Sequence, residues 1–187
     1  MVGDRIVKLV YIDETGLANP LHEPYVIVAA IIVDADKKLI AVERHLDKLV
    51  ERFIPPEDQS DFVFHAAHLF NGGGKVFVRE PKDEPNPKWP LEKRLEIADA
   101  LAKILKRFRL PLAVGFVERA TFPRTFELPP EIKNGKKTVA AHVAAYMQCA
   151  MAVEIWMRQN ASNEVCLMVI ENNEQASGWS LTLGTLF

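Results

Sequence analysis

Cysteine is scarce in this 187-residue chain, which holds only Cys149 and Cys166. Two cysteines are too few for the disulfide framework of a small secreted protein, and this usage is typical of a reducing cytoplasm. A chain of this length buries roughly 70% of its unfolded surface and needs no such staple. We therefore expect a cytoplasmic protein that folds around its own hydrophobic core.

Long apolar runs are also absent from the sequence. The best candidate, residues 25–33, is far shorter than the ~20 residues that cross a bilayer. Acidic residues follow the first methionine too early for a secretory signal peptide. The sequence thus predicts a soluble protein with no membrane partner.

Neither sign of charge dominates, because 23 Lys and Arg against 25 Asp and Glu give a net charge of -2. The distribution is uneven: residues 1–74 sum to -5, residues 75–137 to +6 and residues 138–187 to -3. This asymmetry suits a protein that binds cations at one place and phosphates at another. Salt bridges between the segments would give the same totals, so both interpretations stay open.

The hydrophobic pattern predicts an α/β domain with helices layered on a sheet. Runs of β-branched and apolar residues indicate strands, whereas apolar residues at helical spacing indicate amphipathic helices. Residues 25–33 are apolar throughout, which predicts a strand buried on both faces. Residues 139–159 are apolar on most sides, which predicts a buried helix. The predicted strands are 6–13, 25–33, 62–65, 112–117 and 165–170, and the helices are 39–53, 91–108 and 139–159.

Two carboxylates stand at the ends of predicted strands. Asp13 ends the first strand, and Glu171 follows the last one. Strands near the centre of a sheet can bring such ends together, and paired carboxylates there suit Mg²⁺ or Mn²⁺. Glu14 joins them only if the chain turns, since neighbours on a strand point to opposite faces. A solvated acidic turn is the alternative.

Histidine and glycine form two further motifs. His65 and His68 are three residues apart, which is a one-face spacing if the segment is helical. They supply half of a zinc site, but no neighbouring cysteine or carboxylate completes the pattern, and two structural histidines are the alternative. Residues 72–75 (GGGK) are not a Walker loop, because Val76 replaces the required Ser or Thr. We expect a mobile flap there instead.

Three segments resemble the domain-of-unknown-function 3800 family. Residues 11–16 (YIDETG) are similar to the family's opening Asp-Glu-Ser/Thr-Gly motif. Residues 64–72 (FHAAHLFNG) resemble its histidine segment and the Leu-Phe-Asn-Gly-like stretch that follows. Residues 169–174 (VIENNE) stand where the family has an acidic residue after a late strand. The resemblance covers nearly the whole chain in the family's order.

The resemblance implies a single ribonuclease-H-like domain over residues 1–187, with three layers and a central mixed β-sheet flanked by helices. It implies that Asp13 and Glu171 ligate a metal ion and that Glu14 supports them. His65 would orient a phosphate or assist proton transfer.

The sequence departs from the family at two places. Val63 stands where the family commonly has an acid two residues before the histidine. Only 16 residues follow Glu171, and Glu174 is the one acidic residue among them. The resemblance therefore also implies a C-terminus that is truncated or atypical, with Glu174 as a further candidate ligand.

These features favour an Mg²⁺- or Mn²⁺-dependent nuclease that hydrolyses phosphodiester bonds in nucleic acid. Lysine and arginine at residues 103–109 would then contact phosphates, unless they form a solvated helix face. A catalytically inactive nucleic-acid-binding or scaffold domain of the same fold is the alternative, and a glycosidase-like pair of carboxylates ranks last. The last helix and the apolar residues 179–187 predict a homodimer.

Overall fold

The computed structural model of the chain describes residues 7–17, 21–78, 88–122 and 137–170, of which residues 137–139 are described by their backbone alone. The chain divides into two compact units, one drawn from Met1–Asp36 and Pro111–Phe187 and the other from Lys37–Leu110. Each unit has its own cluster of buried apolar residues. A single domain over residues 1–187 stays a prediction.

The first unit is built on a four-stranded sheet in the order β3-β2-β1-β4. Its strands are β1 (Val7–Thr15), β2 (Tyr25–Asp34), β3 (Leu112–Glu118) and β4 (Val165–Ile170). The β1–β2 and β2–β3 pairs are antiparallel, whereas β1 and β4 are parallel. Helix α4 (Lys137–Asn160) lies between β3 and β4 in the chain. The predicted α/β class is confirmed, with a mixed and open sheet.

One face of this sheet holds the core of the first unit. Side chains alternate between the two faces along a strand, and every second residue of β2 is buried, as Val26 and Val28 show. The residues between them, Ile27 and Ala29, are only half-buried. The prediction that residues 25–33 are buried on both faces is therefore wrong, because α4 packs against one face only.

Helix α4 buries the apolar residues of one side and exposes those of the other. Small residues such as Ala145 and Cys149 are buried against the sheet, whereas Met147 and Met151 on the other side are 44% and 61% exposed. The predicted burial of this helix on most sides is therefore wrong, since only one side contacts the sheet. Self-association through this helix and residues 179–187, which lie outside the described residues, stays a prediction.

The close approach of α4 to the sheet depends on Gly115 in β3. A Cβ atom at this position would overlap the Ala145 carbonyl oxygen and lie 2.6 Å from the backbone nitrogen of Cys149. The Cys149 Sγ donates a weak hydrogen bond to the Ala113 carbonyl oxygen, 3.7 Å away. The helix backbone thus rests directly on the strand backbone.

The second unit is helical. It contains α1 (Leu39–Phe53), a 3₁₀ turn (Pro56–Asp58), α2 (Ala66–Asn71) and α3 (Leu91–Phe108). Its core includes Leu69, Ile97 and two aromatic rings, Phe77 and Trp89, whose centroids are 5.0 Å apart in an edge-to-face pair. None of the helices in the described ranges is long and apolar enough to cross a membrane.

Residues 62–65 do not form the predicted strand. They are irregular and lead straight into α2. The rings of Phe62 and Phe64 form an edge-to-face pair with centroids 5.0 Å apart, and Phe62 also contacts Phe77, while Val63 is exposed. The aromatic residues of this segment pack onto a helical core, and the residue between them is exposed. This alternation has the same two-residue period as a strand.

Candidate metal and phosphate site

Asp13 lies in β1, where it pairs with Ala29 of β2. Its side chain is exposed. One carboxylate oxygen, Oδ1, accepts a hydrogen bond from the Glu14 backbone N–H at 2.9 Å. Among the described residues, nothing donates a hydrogen bond to Oδ2. Asp13 therefore presents one open carboxylate oxygen on the surface of the sheet.

Glu14 does not share a face with Asp13. The chain does not turn after Asp13, because β1 continues to Thr15 and keeps its register with β2, with Glu14 opposite the buried Val28. Successive side chains of a strand point to opposite faces. The turn that would have brought Glu14 beside Asp13 is thus absent from β1.

The ends of β1 and β4 meet at one edge of the sheet. The parallel register pairs Ile12 with Ile170, and Asp13 is the next residue along β1. Ile170 is the last described residue of β4. Glu171 and Glu174 lie outside the described residues. No group of three or more histidine, cysteine or acidic side chains able to hold a metal ion occurs in the described ranges.

His65 belongs to the second unit, where it precedes the first turn of α2 as the N-cap residue. Its side chain is exposed, and that of His68, three residues on, is half-buried. The two ring centroids are 5.0 Å apart. The two rings therefore lie side by side, although only His68 belongs to the helix.

The glycine run forms a tight turn rather than an open loop. Gly73 pairs with Phe77 in an isolated β-bridge, and its N–H donates to the Phe77 carbonyl oxygen. All three glycines have positive φ, which costs little only for glycine. The turn folds back onto the imidazole ring of His68.

The basic cluster of α3 lies on the exposed surface of the second unit. Lys106 and Arg107 stand in the last turn of the helix, where cations interact favourably with the carboxyl end of the helix dipole. Lys103 is partly neutralised by Asp99, one turn away, at 2.5 Å. Lys106 and Arg107 remain as cations that can contact a phosphate.

A buried ion cluster in the first unit is not apparent from the sequence. The Lys8 Nζ lies 2.7 Å from Asp34 and 2.6 Å from Glu164. Burial acts to lower the pKa of Lys8, but the hydrogen bonds and negative charges of the two carboxylates outweigh it and raise the pKa. The one available signal is a lysine in the middle of an apolar strand.

Comparisons with known proteins find no match to the chain. No protein-family model matches the chain, and searches of curated proteins and of solved structures give no match either.

Proposed function

We propose that the chain is an Mg²⁺- or Mn²⁺-dependent nuclease with a ribonuclease-H-like three-layer fold, similar to the domain-of-unknown-function 3800 family. The observation that carries the proposal is the parallel pairing of β1 with β4, in which Ile170 lies opposite Ile12. Asp13 and Glu171 are the residues that follow this pair in the two segments. The mixed sheet is compatible with such a fold.

The donor set fits a hard cation. Carboxylate oxygens are the ligands that Mg²⁺ and Mn²⁺ prefer, and Asp13 has an open Oδ2 among the described residues. In this proposal Asp13 and Glu171 hold the ion, with Glu174 in a supporting position, whereas Glu14 lies on the other face of β1. When bound, such an ion neutralises charge on a phosphodiester and lowers the pKa of a water molecule.

The proposal gives a phosphate-binding role to His65, Lys106 and Arg107. His65 is exposed and can donate a hydrogen bond to a phosphate oxygen or exchange a proton. Lys106 and Arg107 supply exposed positive charge at the end of α3. Such cations bind the phosphate backbone without reading its sequence, so the proposal specifies a nucleic acid and no base preference.

The test uses Asp13→Asn, with Asp36→Asn as the matched control. Asp36 is an exposed aspartate near the opposite end of β1, where it accepts the Val7 backbone N–H. Wild type and the control should bind Mn²⁺ and cut single-stranded DNA or RNA, whereas Asp13→Asn should lose both properties. Wild-type protein that neither binds Mn²⁺ nor cuts either substrate would overturn the proposal.

A further outcome distinguishes the alternative function. Val63 occupies the position of a family acid and is exposed, so one ligand of a complete site is missing there. Salt-dependent binding of nucleic acid without turnover, unchanged in Asp13→Asn, would identify an inactive binding domain instead.

A further inference from the structure

We infer that His65 and His68 form a two-imidazole site for a borderline divalent metal ion, with Zn²⁺ as the best fit. The site lies in the second unit and uses neither Asp13 nor Glu171. The nuclease proposal gives His65 a phosphate contact, so the two proposals share this residue, but the histidine pair does not depend on a cation at Asp13.

The first support is the spacing of the two rings. A Zn²⁺ ion bound through an imidazole nitrogen lies about 3.2 Å from the ring centre, given a Zn–N distance of roughly 2.0 Å. Two imidazoles at the tetrahedral angle then have ring centres roughly 5.2 Å apart. The observed centroid distance of 5.0 Å is close to this value, so the two rings are within the range of a shared ion.

The second support is the absence of competing partners in the described part of the chain. No hydrogen bond or ion pair engages the ring nitrogens of His65 or His68, and their one ring contact is with each other. Imidazole nitrogens that no protein group engages are available to bind a metal ion.

The third support is that the ring of His68 is held in place. A Cβ atom on Gly74 would lie 2.7 Å from Nδ1 and 2.9 Å from Cε1 of this ring, so only glycine lets the turn close over it. The turn thus packs closely against the ring of His68. The glycine turn therefore restricts the movement of the imidazole.

The backbone that carries the pair is also fixed. The Arg94 guanidinium of α3 donates to the carbonyl oxygens of Leu69 at 2.7 Å and His68 at 3.4 Å. Leu69 itself is buried. Short helix α2 is thus anchored to α3, and a site on a fixed element loses less entropy when it binds a ligand.

The chemistry of the pair selects the metal. Imidazole suits Zn²⁺, Cu²⁺ and Ni²⁺, whereas Mg²⁺ requires oxygen ligands. The described residues bring no third histidine, cysteine or acidic side chain to the pair. Water would fill the remaining positions, which leaves them open to an anionic ligand such as phosphate.

Zn²⁺ titration of the tag-free protein by calorimetry tests this inference. We expect saturable binding of one ion, and His65→Ala or His68→Ala should each weaken it by more than about tenfold, since even indirect partners of a metal cost that much. His22→Ala, at an exposed histidine of the first unit, is the matched control and should bind as wild type does. Gly74→Ala should weaken binding while keeping both ligands.

A spectroscopic measurement on the wild type covers the case in which a variant unfolds. Zn²⁺ should shift the imidazole resonances of His65 and His68 together, at one stoichiometric equivalent, and leave those of His22 unchanged. Binding that survives in either histidine variant, or shifts confined to one ring, would overturn the inference. Asp13→Asn should keep Zn²⁺ binding, so failure here and failure of the nuclease proposal are distinguishable.

Discussion

Replacing Lys8 with Met tests whether the buried ion cluster stabilises the sheet. The Nζ atom lies 2.7 Å from Asp34 and 2.6 Å from Glu164, and the side chains of all three residues are mostly buried. Methionine keeps the aliphatic length of lysine but removes the positive charge that lies between the two carboxylates. The variant should therefore be strongly destabilised.

The magnitude follows from the geometry. The two carboxylate oxygens are no farther apart than the sum of their distances to Nζ, which is near 5 Å. At an effective dielectric constant of ~20, two unit charges at roughly 5 Å repel by about 3 kcal/mol. Removing one partner of a buried ion pair typically costs about 3–5 kcal/mol, so both routes give the same range.

Urea denaturation followed by circular dichroism measures this loss. The control is Lys103→Met, whose ion pair with Asp99 is exposed and contributes at most about 1 kcal/mol. Adding Asp34→Asn and Glu164→Gln to Lys8→Met should restore most of the stability, because it removes the repulsion between the two carboxylates. A loss in Lys8→Met no larger than in the control would refute the reasoning.

The same cluster predicts the direction of a pH dependence. The pKa of Lys8 is raised above its ordinary value of 10.5, so its contribution is complete below that pH and is lost as the pH rises through the folded-state pKa. The stability gap between wild type and Lys8→Met should therefore narrow at strongly alkaline pH. A gap that widens there would contradict the assignment.

Two further predictions concern the contact between α4 and the sheet. Gly115→Ala should cost about 1–3 kcal/mol in urea denaturation, because the new Cβ overlaps the Ala145 carbonyl oxygen; a variant as stable as wild type would contradict the close approach. Alkylation of the native protein should label Cys166 before Cys149, which is 1% exposed and whose thiol pKa is raised by burial. Burial also raises the pKa of the Cys166 thiol, so the difference in exposure between the two cysteines sets the order of labelling. Faster labelling of Cys149 would contradict its burial in the core.

The local sequence pattern predicted those elements whose hydrophobic periodicity has only one physical explanation. The strands at 25–33 and 165–170 appear at nearly the predicted bounds, since continuous β-branched runs have few other stable conformations. The strand predicted at residues 62–65 is wrong because aromatic residues that pack alternately onto a helical core have the same period as a strand. The burial of α4 was wrong because the number of its packed sides depends on distant elements.

The candidate site was predictable only in part, for the same reason. The position of Asp13 near the end of a strand follows from the local sequence, and the edge shared by β1 and β4 follows from their pairing. The sheet face on which Glu14 lies depends on where β1 ends, and the pairing of Thr15 with Ile27 extends β1 beyond Glu14. This pairing joins distant residues, so the local sequence does not predict it. The same holds for the ion pair between Lys8 and Glu164.

The parallel pairing of β1 and β4 has a consequence for the order in which the protein forms during synthesis. Among the described elements, β1 is the first to leave the ribosome and β4 is the last. The helical unit of Lys37–Leu110 emerges whole in between, so it can fold while the sheet still lacks an edge strand. A nascent chain therefore cannot assemble the proposed cation site early. Binding of Mn²⁺ by a ribosome-bound chain should begin only once β4 has emerged.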